Sequence, residues 1–414
     1  MKRYIIHSDL NSCYASIELA RRPQLRDKPV AVGGSEESRH GIVLARNLVA
    51  KKYGVTTGNS LMEARRACPD LVTLPPNYNL YLQESQHARS IYSEYSDFTE
   101  AFGIDESWAD ISMLASSDHQ AKLIADEIRR KIKREMGVTV SIGVSFNKIY
   151  AKLGSDYRKP DAITQITREN FKEIVFPLPA ADLLYVGRQT AKKLNSNIIR
   201  TIGDIVEAGP ERMRSVLNSK VGEMLWVFAA GMDTTPVAQV GDEGAIKSVG
   251  NSNTFSRDLV NNEDIYGAFW MLGESVASRL REGGFEAQTV EIYARGNDLA
   301  SISRQQKLER PTCLASELVP AAMTLFRMRY DWSRPIRSLG IRGANLIPAG
   351  SIGQTSLFVS EELRLKRERK EQAIDYLRER FGYLSVQRAI LMSSDINHDA
   401  KSDNTIHPIS YIYG

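Results

Sequence analysis

Short apolar runs alternate along this chain with longer segments whose apolar residues recur every three or four positions, the two periods of strands and amphipathic helices. Strands are expected at Tyr4–Ser8, Pro29–Val32 and Gly41–Ala45, with helices from about Ser12 to Ala20 and at Leu61–Cys68, before Pro69. A longer amphipathic helix is predicted over Tyr78–Tyr95. Phe98–Met113 reads as two short strands about the turn Gly103-Ile104-Asp105-Glu106. A helix at Gln120–Met136, a strand at Val138–Phe146 and a helix from about Asn147 complete an α+β sheet domain with a small insertion near residues 20–72.

Pro177-Leu178-Pro179 marks a linker, and Ala181–Met232 reads as a compact helical stretch containing a tight turn and helix start at Tyr185–Leu194. A second linker is expected around Gly241–Gly244. Residues 246–347 then predict strand (Lys247–Phe255), helix (Asn262–Arg281), strand (Gln288–Arg295), strand (Ser301–Leu308), helix (Leu314–Tyr330) and strand (Ile336–Asn345). That βαββαβ order is the split-βαβ, ferredoxin-like unit. Its strands carry mostly basic charges, which fits either one positive face or an ordinary solvated face; the pattern leaves both open. In the tail, the charge-mixed helix Glu361–Phe381 is expected to be solvated on all sides.

Length fits this multidomain reading, because 414 residues exceed what one hydrophobic core holds. No run approaches the ~18 apolar residues of a membrane-spanning helix. The N-terminus meets Asp9 too early for a secretory leader. Cys13, Cys68 and Cys313 are far apart and lack C-x-x-C spacing, which argues against a disulfide framework or a cysteine-rich zinc site. None of the histidines forms an H-E-x-x-H pair, so zinc hydrolysis is disfavoured. These features together predict a reduced, cytoplasmic protein. A net charge of +4 permits a polyanionic partner without demanding one.

The candidate chemistry is acidic. Asp9 closes the first strand, and Asp105 and Glu106 sit at a hairpin tip between apolar residues. Carboxylates at a strand end and a hairpin tip converge if the strands are neighbours, and such a cluster suits hard divalent cations that share their shell with phosphates. Two such ions would stabilise the attacking and leaving oxygens of a displacement at phosphorus. Adjacent Asp-Glu is equally ordinary turn chemistry, and the pair alone does not choose.

The surrounding residues do choose. His7-Ser8-Asp9-Leu10-Asn11-Ser12-Cys13-Tyr14-Ala15-Ser16-Ile17-Glu18 resembles the first motif of the Y-family DNA polymerases, most of all their DNA polymerase IV branch. Gly103–Ile111 resembles a second motif, and Ser141–Lys148, with Ala151-Lys152-Leu153, Ser155-Asp156 and Lys159-Pro160, a third. Gly41–Asn47, followed by Ala50-Lys51 and Gly54-Val55, resembles the family's fingers segment. The blocks stand in family order over nearly the whole chain.

The resemblance implies an α+β multidomain right hand. Its expected parts are a ferredoxin-like palm (1–19 and 73–168), small fingers (20–72), a helix–hairpin–helix thumb (169–240), a βαββαβ little finger (245–348) and a tail (349–414). It implies low-fidelity, lesion-bypassing DNA synthesis without proofreading. Two Mg²⁺ ions would be held by Asp9, Asp105, Glu106 and the Leu10 backbone carbonyl. Tyr14 matches the aromatic steric gate, which rejects ribonucleotides by a clash with the 2′-hydroxyl. Lys159 and Lys51 match positions that contact the triphosphate, with Arg46 or Lys52 sharing the task; Ile42 and Leu44 would roof the nascent base pair. The chain departs from the commoner family pattern at Leu48 and Lys51, where an aromatic and an arginine are usual, and at Cys13. Leu184–Leu194 resembles a DNA-phosphate-binding hairpin, giving Gly187, Arg188 and Thr190 as DNA contacts, although Tyr185 takes a place usually held by glycine. Gln354-Thr355-Ser356-Leu357-Phe358 looks like a sliding-clamp peptide with Gln354, Leu357 and Phe358 as anchors; packing of Phe358 on the body is the rival. The expected partners are primer–template DNA, dNTP and the clamp, with the chain acting as a monomer. A palm-fold nucleotide cyclase and a catalytically silent DNA- or clamp-binding scaffold are the competing readings.

Overall fold

The structure, a computed structural model, describes residues 2–36, 39, 41–242, 246–351 and 361–392. It comprises two compact units, the first formed by residues 1–33 and 43–243 and the second by residues 34–42 and 244–414.

The first unit is built on eight strands: β1 (Ile5–Leu10), β2 (Val30–Gly33), β3 (Val43–Arg46), β4 (Val72–Leu74), β5 (Thr99–Ala101), β6 (Glu106–Asp110), β7 (Val140–Ser145) and β8 (Ile163–Ile166). Its helices are α1 (Cys13–Arg21), α2 (Leu48–Lys52), α3 (Leu61–Ala67), α4 (Tyr78–Ser93), α5 (Asp118–Met136), α6 (Lys148–Tyr157), α7 (Phe171–Val175), α8 (Arg188–Ser196), α9 (Ile202–Leu217) and α10 (Ser219–Ala229). The main sheet has the order β5-β6-β1-β7-β8. All six residues of β1 are buried, as a central strand covered on both faces requires. On one face Ile6, Leu10, Ile142 and Val144 pack with α1, α4 and α5. On the other, Ile5 and Trp108 meet Ala151 of α6.

Local chemistry sets these elements. Ser117 caps α5 by accepting from the Gln120 amide, Ala121, Ala125, Ile128 and Ile132 form its buried stripe, and Gly137 ends it in the left-handed region. Asn147 caps α6 through the Tyr150 amide at 2.7 Å. Gly143 lets that helix lie directly on β7: a Cβ there would stand 1.8 Å from the Ala151 carbonyl oxygen. The insertion forms a separate small sheet, β3-β2-β4, with its own apolar cluster including Val43, Ala50, Leu61 and Leu71. Helices α7 to α10 surround Leu194, Ile202, Ile205, Met213 and Leu225.

In the second unit, β9 (Ser248–Leu259), β10 (Phe285–Gly296), β11 (Ser301–Thr312) and β12 (Ile336–Pro348) form an antiparallel sheet of order β11-β10-β12-β9. Helices α11 (Asn262–Glu282) and α12 (Ala315–Arg329) cover one face around Phe269, Phe326, Ile292 and Leu339. Each helix crosses one intervening strand, as a split βαβ unit requires. The open face carries Arg295, Lys307 and Arg342 around Glu291, whose carboxylate lies 3.6 Å from Arg342.

The tail helix α13 (Glu361–Phe381) corrects the expectation of a solvated helix. It docks, and it docks through charge. Arg281 of α11 donates to Glu371 (2.8 Å) and grips Asp375 with two hydrogen bonds of 2.7 and 3.0 Å. Arg378 donates to Glu274 at 2.7 Å. Glu371 also accepts from the Ala315 and Ser316 amides at 2.9 and 3.0 Å. These are first-turn donors of α12, whose own N-cap Leu314 offers no side-chain acceptor. Removing one partner of a buried ion pair leaves the other uncompensated and costs on the order of 3 kcal/mol. Arg281→Ala is therefore expected to raise amide hydrogen exchange throughout 361–381 at least tenfold. Unchanged protection there would show that α13 is held by something else.

Candidate active site

The register of the main sheet builds the site. Asp9 on β1 lies directly opposite Glu106 on β6, and antiparallel partners share one face of a sheet. Asp105 is the last residue of the turn, and its carbonyl accepts the Leu10 amide at 2.9 Å. The turn closes with the Phe102 amide donating to the Glu106 carbonyl at 2.9 Å, and Gly103 takes φ 127° within it. Asp9 is thus brought from far away in the sequence to the hairpin acids, close enough for their charges to act on one another. Asp9 lies inside β1 rather than at its end, and Glu106 opens β6.

Their proximity appears in their ionisation. Burial pushes both Asp9 and Asp105 up to about 6. For Asp9, Lys159 opposes the rise and Glu106 adds to it; for Asp105, the charges of Asp9 and Glu106 add to it. Two lysines stand against the cluster. Lys159 Nζ is 2.7 Å from Asp9 and 2.8 Å from Asp156, and Lys152 Nζ is 2.5 Å from Glu106. Burial pulls the Lys159 ammonium down, but Asp9 and Asp156 outweigh it and its pKa is raised. Among the described residues no three His, Cys, Asp or Glu side chains are drawn together closely enough to hold a metal ion as they stand; ammonium groups pair with Glu106 and Asp9 instead. An oxygen-only donor set with excess negative charge fits a hard divalent cation.

Several of these residues drew no role from sequence. Lys152 and Asp156 stand one turn apart on α6, at the i, i+4 spacing of one shared face, and Lys159, expected to contact the triphosphate, follows in the loop after the helix. Asn11 ties the corner together: its amide donates to Ser141 Oγ at 2.9 Å, and its oxygen accepts from Thr139 Oγ1 at 3.0 Å and from the Asp161 amide at 2.9 Å. It thereby secures the loop that carries Lys159. His7 is fully buried, with Nε2 3.3 Å from Glu106, and burial followed by the charge of Lys152 holds its pKa well below the ordinary value.

Tyr14 stacks on Tyr81 with ring centroids 4.3 Å apart and planes at 11°, and meets Tyr78 edge-on at 6.0 Å. Tyr81 is held in turn by a 2.8 Å hydrogen bond to Glu18. Burial pushes the Tyr14 and Cys13 side chains well above their ordinary pKa values, so the Cys13 thiol is not poised as a nucleophile. No hydrogen bond or ion pair joins Arg46, Lys51 or Lys52 to the acidic cluster among the described residues. Arg46 is tied to the Val55 carbonyl, whereas Lys51 and Lys52 are exposed at the end of α2. Ile42 is exposed and Leu44 half-buried. Gly187 is the N-cap of α8 and its side of the turn is open, with Gly187 and Arg188 exposed and Thr190 half-buried. Tyr185 takes φ 68° there, the left-handed conformation that explains why glycine is usual at its place. Gln354, Leu357 and Phe358 lie outside the described residues.

Known proteins resemble this chain over most of its length. The impB/mucB/samB family model matches residues 8–156, and the model of that family's C-terminal domain matches residues 246–357. The DNA polymerase IV of Acetivibrio thermocellus is 48% identical over 392 residues, covering 95% of this chain and 98% of that protein. DNA polymerase IV 1 of Bacillus subtilis is 34% identical over 95% of this chain and 94% of its own length. Among solved structures, a Y-family DNA polymerase chimera aligns with a TM-score of 0.74 at 21% identity, covering 83% of this chain and 99% of that one. Sheet, small inserted sheet, helical region and βαββαβ unit are thus the fold of a Y-family polymerase. The chain belongs to the DNA polymerase IV branch of that family, whose members are DNA-directed DNA polymerases. Among the described residues no helix is long and apolar enough to cross a membrane.

The raised carboxylates carry a stability consequence. A group whose folded pKa exceeds its unfolded one stabilises the fold fully below the unfolded value, near 4, and loses that contribution as pH rises through about 6. Asp105→Asn is therefore expected to stabilise the metal-free protein by on the order of 2 kcal/mol at pH 7.5, and by much less at pH 4. Urea midpoints at the two pH values check this; equal gains at both would refute the electrostatic origin.

Proposed function

We propose that the chain extends primers by two-metal nucleotidyl transfer. The primer 3′-hydroxyl attacks the α-phosphate of a dNTP and pyrophosphate leaves. The observation that carries this reading is the register setting Asp9 opposite Glu106, with Asp105 anchored to the Leu10 amide. Asp9, Asp105 and Glu106, with the Leu10 carbonyl, are the groups that would hold two Mg²⁺ ions. Such ions supply positive charge at the attacking and leaving oxygens of an in-line displacement.

The chain's own residues do the rest. Lys159, paired with Asp9, would turn its ammonium to the incoming triphosphate, where a point charge needs no fork geometry. In the fingers Lys51 is the freer cation, since Arg46 is committed to the Val55 carbonyl. Tyr14, fixed by its stack on Tyr81, would exclude a ribose 2′-hydroxyl. The open amides at Gly187, Arg188 and Thr190 would hold a DNA phosphate without reading sequence. Residues 1–19 and 73–168 serve as palm, 20–72 as fingers, 169–240 as thumb and 245–348 as little finger, although residues 34–42 group with the second unit. Residues 349–414 form the tail, in which Gln354, Leu357 and Phe358 would engage a sliding clamp by their sequence pattern. Synthesis proceeds without proofreading in this reading, because no stretch of the sequence offers a separate acidic exonuclease set. The chain is taken to work as a cytoplasmic monomer.

Asp105→Ala and Glu106→Ala should each bind primer–template normally yet lose single-nucleotide incorporation by on the order of 10³-fold. Incorporation at the parental rate would remove these carboxylates from the chemistry. Tyr14→Ala should lower discrimination against ribonucleotides at least ~10-fold, equivalent to about 1.4 kcal/mol. Parental sugar selection in that variant would take the gate away from Tyr14.

A further inference from the structure

His7 lies on β1 two residues before Asp9, fully buried, its ring edge-on to Trp108 with centroids 5.0 Å apart. Each ring nitrogen faces a defined group. Nδ1 is 2.8 Å from Ser155 Oγ, and Nε2 is 3.3 Å from Glu106 Oε2. Nε2 has no aligned hydrogen-bond partner as the side chains stand. Ser155 Oγ also lies 2.8 Å from the Lys152 carbonyl oxygen. A serine hydroxyl has one proton to give, and a neutral imidazole has one as well.

Two proton arrangements satisfy these distances. In the first, Ser155 donates to the Lys152 carbonyl and accepts from Nδ1–H, which leaves the bare Nε2 lone pair facing a carboxylate. A buried lone pair would then confront a half-buried carboxylate with no proton between them, a costly arrangement. In the second, Ser155 turns its proton from the Lys152 carbonyl, a neutral acceptor within α6, to Nδ1, and Nε2–H lies between the ring and the charged Glu106 carboxylate. The arrangement gives up a bond to a carbonyl to remove a clash with an anion. A small turn of the carboxylate about its terminal torsion, which is soft, aligns that bond.

We infer that His7 is a positioning residue for Glu106, donating Nε2–H to Oε2 while the Ser155 hydroxyl braces the ring from behind. The inference rests on the proposed role of Glu106 as a cation ligand. His7 and Lys152 both approach Oε2. Among the described residues no hydrogen bond or ion pair reaches Oε1. That oxygen is thereby left for the cation, and the carboxylate is held against rotation before any ion arrives. Hydrogen bonds behind a ligating carboxylate typically change metal affinity ~10- to 100-fold.

The test uses Mn²⁺ as the probe, with binding to the full chain followed by electron paramagnetic resonance. His7→Leu removes the donor and should weaken Mn²⁺ binding about tenfold or more. His7→Gln places an amide N–H near the Nε2 position and should recover binding to within about threefold. Parental Mn²⁺ affinity in His7→Leu, or a His7→Gln variant as weak as His7→Leu, overturns the inference. Should His7→Leu fail to fold, Ser155→Ala removes only the brace; a loss of a few-fold supports the chain of bonds, and no loss overturns it. Glu106→Gln separates the two readings. If it binds Mn²⁺ as the parent does, the ligand assignment fails; if it loses Mn²⁺ while His7→Leu keeps it, only the role of His7 fails.

Discussion

Everything about the acidic cluster of the first unit depends on an unfavourable contact that the sheet enforces. Antiparallel pairing of β1 with the hairpin sets Asp9 beside Glu106, with Asp105 at the end of the turn, and like charges at such spacing repel. Free side chains would separate. Here the backbone register and the fully buried β1 hold them, and burial first, with the neighbouring negative charges adding to it, raises the Asp9 and Asp105 carboxyls to about 6. The apolar packing on both sheet faces, Ile6 and Leu10 on one and Ile5 and Trp108 on the other, provides the stability from which that cost is drawn.

Helix α6 and the loop after it answer the acids with cations. Lys152 and Lys159 reach Glu106 and Asp9 with Asp156 between them, so charge alternates along the face of the site. This requires the helix to lie almost in contact with β7, which Gly143 permits and no larger residue would. Asn11 completes the arrangement by joining the corner after β1 to β7 and to the Lys159 loop.

The second unit uses charge for a different end. Its tail helix presents Arg364, Glu371, Asp375 and Arg378 to the body, and Arg281 and Glu274 receive it. Burial of paired charges gives little net stability compared with an apolar seam, but it demands one register and one partner. The Glu371 carboxylate adds a specific task by completing the N-terminus of α12.

Periodicity determined most of the elements because each depends on local spacing: α5, α6 and the βαββαβ order appear within a few residues of where hydrophobic pattern and capping residues place them. Motif resemblance singled out Asp9, Asp105, Glu106 and Tyr14 as candidates, because their neighbours in the chain are distinctive. Roles that arise across strands were silent. Nothing near His7 or Asn11 in the text announces Glu106, Ser155 or Asp161, which stand roughly a hundred or more residues away. The tail helix misled for the same reason: its mixed charges look solvated until Arg281, 90 residues earlier, is seen to face them. Local pattern settles what each segment becomes, since helix and strand formation are governed by near neighbours. Which side chains share a low-dielectric space, and hence which charges are raised, paired or oriented, is decided only when register and close packing bring distant segments together.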